Sequence, residues 1–384
     1  MVTENIRVGF ITALDANNPR SWSGTPYFMS QALSDQVSNI DYIGSLAPPF
    51  LTLGKATNQF RRMIGLPGHL PKQTHRIARY NARQITRHLS TMKPDILFSL
   101  AGSQLISKLD TDLPLAYCSD STVRLMAGYN PEFQNVSAGA LRQADELEAA
   151  AIARADLLIY PTEWAAESAR RDYGADPARI HIAPFGANLR QVPSRSAALA
   201  DRSGEKLRLL FVGVNWVHKG GQIAVDARRE LERRGIPVEL VIVGCVPPPE
   251  VPREGLSIIP FLDKNDPAQL QKLSELYTSA DLFILPTQSE CFGIVFCEAA
   301  AHGVPSIAPA TGGVPDVIRD GITGFTLPEG SEGVDYADLI YNLVSEPAKL
   351  AALRKTARDD YENRLNWEVW AKHVAMLLAG AIRG

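Results

Sequence analysis

At 384 residues, with 45% hydrophobic and 21% charged residues and a net charge of −3, the chain is long enough for two ordinary domains with separate cores and reads as a soluble globular protein. No run of about eighteen apolar residues occurs, which excludes a membrane-spanning helix of ordinary length. The four cysteines, Cys118, Cys245, Cys291 and Cys297, lack C-x-x-C spacing and lie in or beside apolar runs, so they read as reduced packing residues of a cytoplasmic protein.

Met1 leads into a strand-like run at 6–14 (IRVGFITAL), with no apolar stretch or cleavage pattern of an export signal before it. Residues 15–33 follow, with Ser23, Gly24 and Thr25 just ahead of a helical pattern. Between Asp41 and Asp95 there is no acidic residue, whereas Lys55, Arg61, Arg62, Lys72, Arg76, Arg79, Arg83, Arg87 and Lys93 are all basic. Within this stretch, 59–66 (QFRRMIGL) interleaves Phe60, Met63 and Ile64 with Arg61 and Arg62. In 72–92, Arg76, Arg79, Arg83 and Arg87 recur at three- and four-residue spacing, which lines them along one helix face. That composition suits a surface element touching anionic headgroups, and a solvated basic face with counter-ions fits it equally well. Nucleic acid is disfavoured, because the rest of the surface is acidic and aromatic interleaving is sparse.

Further apolar runs at 95–100 (DILFSL), 113–118 (LPLAYC) and 156–161 (DLLIYP) are separated by helix-like segments, the alternation of a parallel sheet with crossover helices. Residues 183–206, rich in Pro, Ser, Ala and charge, interrupt the pattern. A second series then occupies 207–213, 238–244, 256–261, 281–286 and 304–309. The expected architecture is two doubly wound α/β domains, 1–190 and 191–365, with the ligand in the cleft between them at the carboxyl ends of the strands. Residues 366–384 form a terminal helix with Trp367, Trp370, Val374, Leu377 and Leu378 at helical spacing. It either packs back on the first domain or ends the chain as an ordinary amphipathic helix.

Three segments of the second domain carry chemistry. In 211–221 (FVGVNWVHKGG) a strand is left through Gly213, and Lys219 precedes two glycines where a helix starting at Gln222 would begin. A flexible cation above a helix N-terminus suits a diphosphate. No G-x-G-x-x-G occurs there or at the first strand, so this is neither a dinucleotide fingerprint nor a Walker loop. In 285–305 (LPTQSECFGIVFCEAAAHGVP), Glu290 falls in the loop after a strand, and Glu298 in the early turns of a buried helix running from Gly293 to Ala301. The junction offers free N–H groups from roughly residues 292 to 295. Carboxylates beside those N–H groups repel a bare anion but accept hydrogen bonds from sugar hydroxyls, so the pair suits a ligand bearing both. Each feature alone reads equally as a turn or a helix-end charge. The third segment, 311–328 (TGGVPDVIRDGITGFTLP), reads as a glycine-rich turn, a short helix and a second turn.

In this order and spacing the segments resemble the retaining glycosyltransferases of family four, the glycosyl transferases group 1, with their two-domain GT-B fold. The resemblance spans nearly the whole chain and is strongest over 281–328, then over 209–221. It implies a metal-independent hexosyltransferase that moves a sugar from a nucleotide-sugar to an acceptor hydroxyl with retention, using no cofactor besides the donor substrate. It also implies an acceptor glycan or lipid, which with the basic stretch suggests a peripheral protein on the inner face of a membrane. By the same resemblance Glu298 binds the ribose hydroxyls and Glu290 the donor sugar. The N–H groups of Phe292, Gly293 and Ile294 hold sugar or phosphate, Lys219 neutralises the diphosphate, and Gly24 belongs to a glycine loop facing it. Asp120 stands where many relatives carry a catalytic-site histidine. It is expected to bind a sugar hydroxyl or stabilise positive charge at the anomeric carbon, with capping of the next helix as its other reading. Relatives carry an arginine soon after the glycine of the 209–221 segment, where this chain has Val214 and Asn215. His218 and Arg124 are the candidates to supply the missing cation. A non-catalytic nucleotide-sugar-binding protein or partner subunit is the alternative reading, and an NAD-dependent oxidoreductase is disfavoured by the absent fingerprint.

Overall fold

A computed structural model of the chain describes residues 6–44, 46, 48, 51–130, 133–202 and 204–383; the lead-in at Met1 lies outside them. The chain divides into two compact units, one of Met1–Pro184 with Trp367–Gly384 and one of Phe185–Asn366. The first unit holds β1 (Arg7–Thr12), β2 (Asn39–Ile43), β3 (Ile96–Leu100), β4 (Leu115–Cys118), β5 (Leu157–Tyr160) and β6 (Ile180–Ile182) in the order β2-β1-β3-β4-β5-β6. The second holds β7 (Leu207–Val212), β8 (Val238–Val243), β9 (Leu256–Ile259), β10 (Leu282–Ile284), β11 (Ser306–Pro309) and β12 (Gly324–Leu327) in the order β12-β11-β10-β7-β8-β9. Every strand pair in both sheets is parallel.

The central strands are largely apolar because helices cover both faces of a parallel sheet. β3, β4 and β5 are buried along their whole length. Three strands were not expected from the sequence: β2 (NIDYI), β6 (IHI) and β12 (GFTL). Each is a sheet edge, short and largely half-exposed, so it carries little of the hydrophobic signal that marks a central strand. The second turn expected in 311–328 is in part β12, pairing with β11 from Ser306↔Gly324 to Pro309↔Leu327.

The helix Trp367–Arg383 lies in the first unit, where Trp370 is buried with its ring edge-on to Phe98 of β3, centroids 6.0 Å apart. The arginine-rich helix spans His75–Met92, started by the Thr74 hydroxyl accepting from the Ile77 N–H at 3.2 Å. It buries Ile77, Ala78, Asn81, Ala82 and Ile85, and leaves Arg76, Arg79, Arg83 and Arg87 exposed.

Beneath β4 the Tyr117 hydroxyl donates to Glu148, 3.1 Å from Oε1, and burial pushes the Glu148 carboxyl up to about 7. The folded state therefore holds this proton to a higher pH than the unfolded chain does. Its contribution to stability is present at acid pH and declines as pH rises through the ordinary carboxylate range to about 7. Glu148→Gln is expected to raise thermal stability at pH 8 and to change it little near pH 5. Melts showing the same difference at both pH values would contradict this.

Candidate functional site

In the second unit the strand order reverses at β7 and β10, so the chain leaves these two neighbours in opposite directions and their carboxyl-end loops lie side by side. Those loops are 213–220 and 285–293, which carry Lys219 and Glu290. They are pinned to each other. The Gln288 N–H donates to the His218 carbonyl at 2.9 Å, and Ser289 Oγ lies 3.1 Å from His218 Nε2. Lys219 Nζ donates to Glu290 Oε2 at 2.5 Å, with each side chain 19% exposed. Gly220 makes the approach possible: its φ is +72°, and an added Cβ would lie 1.9 Å from the Pro286 carbonyl oxygen.

Gly293, at φ +89°, turns the chain into the helix Ile294–Ala301 as its N-cap, where a glycine brings no capping side chain of its own. A Cβ at Gly293 would strike the Phe296 ring at 2.4 Å. The Phe292 side chain is core, packed 5.2 Å from Phe185, so only its backbone can serve a ligand. Ile294 is half-buried at the first turn. The glycine-rich turn of 311–328 supports the same loop, because the Gly313 N–H donates to the Glu290 carbonyl at 3.1 Å.

Glu298 is fully buried on that helix. Its Oε1 accepts from Lys264 and its Oε2 from the Tyr277 hydroxyl at 3.3 Å. One turn on, buried His302 places Nδ1 2.8 Å from the Glu298 carbonyl oxygen, with its other nitrogen 3.0 Å from Ser274 Oγ. Burial holds His302 down at about 4, so it is neutral at pH 7.

The unit thus brings Lys219, Glu290 and the Gly293 helix start into one loop cluster, and sets Glu298 beneath it on the helix. Lys264 and Tyr277 escaped the sequence reading: a lone lysine in 261–269 (FLDKNDPAQ) carries no spacing signal, and Tyr277 reads as core.

Gly24 and Asp120 belong to the first unit. Gly24, at φ +93°, caps the helix Thr25–Ser34 without a side-chain bond. It follows Trp22 (φ 45°) and Ser23 (φ 55°), two non-glycine residues in the left-handed region. Such strain gathers where a loop is held for a purpose. Asp120 follows β4, half-buried, with the Ser121 hydroxyl donating to it at 3.4 Å. The N-cap of the next helix is Thr122, whose hydroxyl accepts from the Leu125 N–H.

Both candidate substitute cations are engaged within their own units, His218 with Ser289 and Arg124 with acidic neighbours. Arg124 is committed to Asp145 at 2.9 and 3.0 Å and to the Asp172 carbonyl. Burial and neighbouring Lys219 lower His218 below its usual range.

On the basic segment, Phe60, Met63 and Ile64 are 61%, 77% and 53% exposed around the end of the helix Leu51–Met63. Arg62 is exposed, while Arg61 Nε donates to the Pro67 carbonyl at 3.0 Å. Arg79, Arg83 and Arg87 line a groove of about 370 Å³ with Lys108 and Asp110.

Residues 206–346 match the family described as glycosyl transferases group 1. The D-inositol 3-phosphate glycosyltransferase of Xylanimonas cellulosilytica is 30% identical over 279 residues, 67% of this chain and 64% of that protein. The protein of the same name from Streptomyces bingchenggensis is 33% identical over 278 residues, 65% of this chain and 60% of that one. Against the Corynebacterium kroppenstedtii protein of that name, the chain spans only 54% of the relative's length. Among solved structures, sucrose-phosphate synthase from Thermosynechococcus elongatus superposes with a TM-score of 0.68 at 16% identity, over 99% of this chain and 100% of that one. WaaG, a glycosyltransferase of lipopolysaccharide biosynthesis, gives 0.63 at 17% identity, over 98% and 100%. HepE from Anabaena, solved with UDP-glucose, gives 0.63 at 17% identity, over 98% and 100%. The two parallel six-stranded sheets are thus the two Rossmann-like domains of the GT-B fold, and the second carries the group 1 match.

Proposed function

We propose that this chain is a glycosyltransferase that moves a sugar from a nucleotide-sugar donor to an acceptor hydroxyl, holding the donor at the carboxyl ends of β7 and β10. The observation that carries this reading is the Lys219–Glu290 pair, a cation and a carboxylate 2.5 Å apart at the reversal of strand order. Beside it stands a helix start whose N-cap is a glycine, Gly293. A sugar diphosphonucleoside needs both signs of partner. Its hydroxyls are served by carboxylates, Glu290 for the sugar and Glu298 for the ribose, and its phosphates by Lys219 and the N–H groups of Phe292, Gly293 and Ile294.

As the glycosidic bond breaks, negative charge grows on the departing diphosphate, so a fixed cation and N–H dipoles stabilise the transition state more than the bound donor. The leaving phosphate then takes the proton of the incoming hydroxyl on the same face. This route requires neither a protein nucleophile nor a metal and retains the anomeric configuration. Gly24 and Asp120 are assigned, on the resemblance, to the diphosphate and to the reacting sugar. Thermal stabilisation by UDP-, GDP- and ADP-sugars tests the donor assignment: one base class should stabilise the protein by several degrees, and no shift with any of them would overturn it. UDP-glucose, the ligand of the HepE structure, is the first to try, and D-inositol 3-phosphate the first soluble acceptor.

We further infer that the first unit docks on an anionic bilayer at the inner face of the membrane, where it meets a lipid or glycan acceptor. The support is the exposure of Phe60, Met63 and Ile64 together with the arginine face of His75–Met92. Each basic residue near such a surface contributes roughly 1 kcal/mol, so several together hold a soluble enzyme reversibly. Cosedimentation with anionic vesicles should fall with added salt and when Arg76, Arg79, Arg83 and Arg87 are changed to Gln, and neutral vesicles should bind poorly. No cosedimentation at low salt would discard the membrane in favour of a soluble, phosphorylated acceptor.

A further inference from the structure

The two donors to Glu298 differ in freedom. Tyr277 projects from the helix Pro267–Ser279 and is fully buried, stacked on Phe283 at 5.9 Å and on His302 at 5.1 Å, so it cannot withdraw without disturbing the core. Lys264 comes from the loop between β9 and that helix, and 30% of its side chain is exposed. The loop backbone is fixed: the Asp263 N–H donates to Gln269 Oε1 at 2.8 Å, the Asn265 N–H to Asp263 Oδ1 at 2.9 Å, and Asp266 caps the helix. A rigid backbone bearing a flexible four-carbon stem lets the ammonium move while its origin stays put. For ribose hydroxyls to take Glu298, it is Lys264 that must give way.

Charge balance says where it goes. The site holds two carboxylates, each already paired with a lysine, Glu290 with Lys219 and Glu298 with Lys264. A nucleotide-sugar brings neutral hydroxyls for both carboxylates and two negative phosphates. If each carboxylate exchanges its lysine for hydroxyls, each lysine is released to a phosphate, and no charge in the site is left alone. A second cation is called for, because the position where the resemblance places an arginine is filled here by Val214, 76% exposed and apolar, and Asn215.

We propose that Lys264 is the second donor-binding cation of this chain: it holds Glu298 as a buried carboxylate, yields it to the ribose hydroxyls, and turns its ammonium to the nucleotide's diphosphate. The inference rests on the assignment of Glu298 to the ribose. The test compares wild type, Lys264→Met, Lys264→Gln and Lys264→Arg by calorimetric titration with UDP, GDP and ADP and by ligand-observed NMR with their parent nucleosides. For the nucleotide that the wild type prefers, the affinity advantage of diphosphate over nucleoside should shrink by about tenfold or more in Lys264→Met, the loss of one charge-assisted hydrogen bond. The nucleoside itself should bind no worse than to wild type, since its hydroxyls no longer compete with an ammonium. Lys264→Arg should keep most of the advantage. Lys264→Gln, which still offers Glu298 a donor, should lose it as Lys264→Met does, and it carries the test if the methionine variant folds poorly. Equal weakening of nucleoside and diphosphate would show that Lys264 only props Glu298, and an unchanged ratio would show that it has no part; either overturns the proposal. A wild type that binds none of the three diphosphates overturns the donor assignment as well, whereas good wild-type binding with an unchanged ratio defeats this inference alone.

Discussion

Lys219→Ala should lower turnover by on the order of 10² to 10³ at saturating donor, the loss seen when one fixed donor to a developing charge is removed. Folding should survive, because both partners of the Lys219–Glu290 pair retain some solvent contact, and water can satisfy Glu290 once the lysine is gone. The donor's affinity should fall less than the rate, since the charge that Lys219 meets is largest as the bond breaks. Turnover and melting temperature, measured on the same preparation, separate the two effects. A folded variant with wild-type turnover would place the diphosphate clamp elsewhere.

Glu298→Gln should weaken nucleoside diphosphate binding by about 1 to 3 kcal/mol, the range for hydrogen bonds to a charged group. Glutamine keeps the volume of a fully buried side chain and can still accept from Tyr277, so the core around the helix Ile294–Ala301 should hold. What is lost is the anionic acceptor for two ribose hydroxyls. Affinity for the diphosphate equal to that of wild type would remove Glu298 from the site.

The fold was legible where burial on both faces writes uninterrupted apolar runs, as in β4 (LAYC) and β5 (LLIY). It was illegible at β2, β6 and β12, sheet edges whose short, half-exposed sequences look like connections. The candidate site was legible where a backbone constraint and a chemical group share a few residues. Lys219 ahead of Gly220, and Glu290 ahead of Gly293, are such cases, because a glycine that must take positive φ pins the side chain beside it. Glu298 was found, but not its surroundings. Lys264 and Tyr277 reach it from 34 and 21 residues away, through a loop and a helix whose sequences carry no mark of the meeting. Arg124 shows the converse: a cation that looked available is already taken up by Asp145, a partner 21 residues on that sequence spacing does not pair with it.

Nucleoside diphosphate release tests the central claim most directly. Purified protein incubated with UDP-, GDP- and ADP-sugars, in the presence of D-inositol 3-phosphate or anionic lipid as acceptor, should release the diphosphate from one donor class at a rate that rises with acceptor and collapses in Lys219→Ala. A protein that is stabilised by a nucleotide-sugar yet releases no diphosphate above the buffer control with either acceptor would contradict the account, and would make the chain a nucleotide-sugar-binding protein instead.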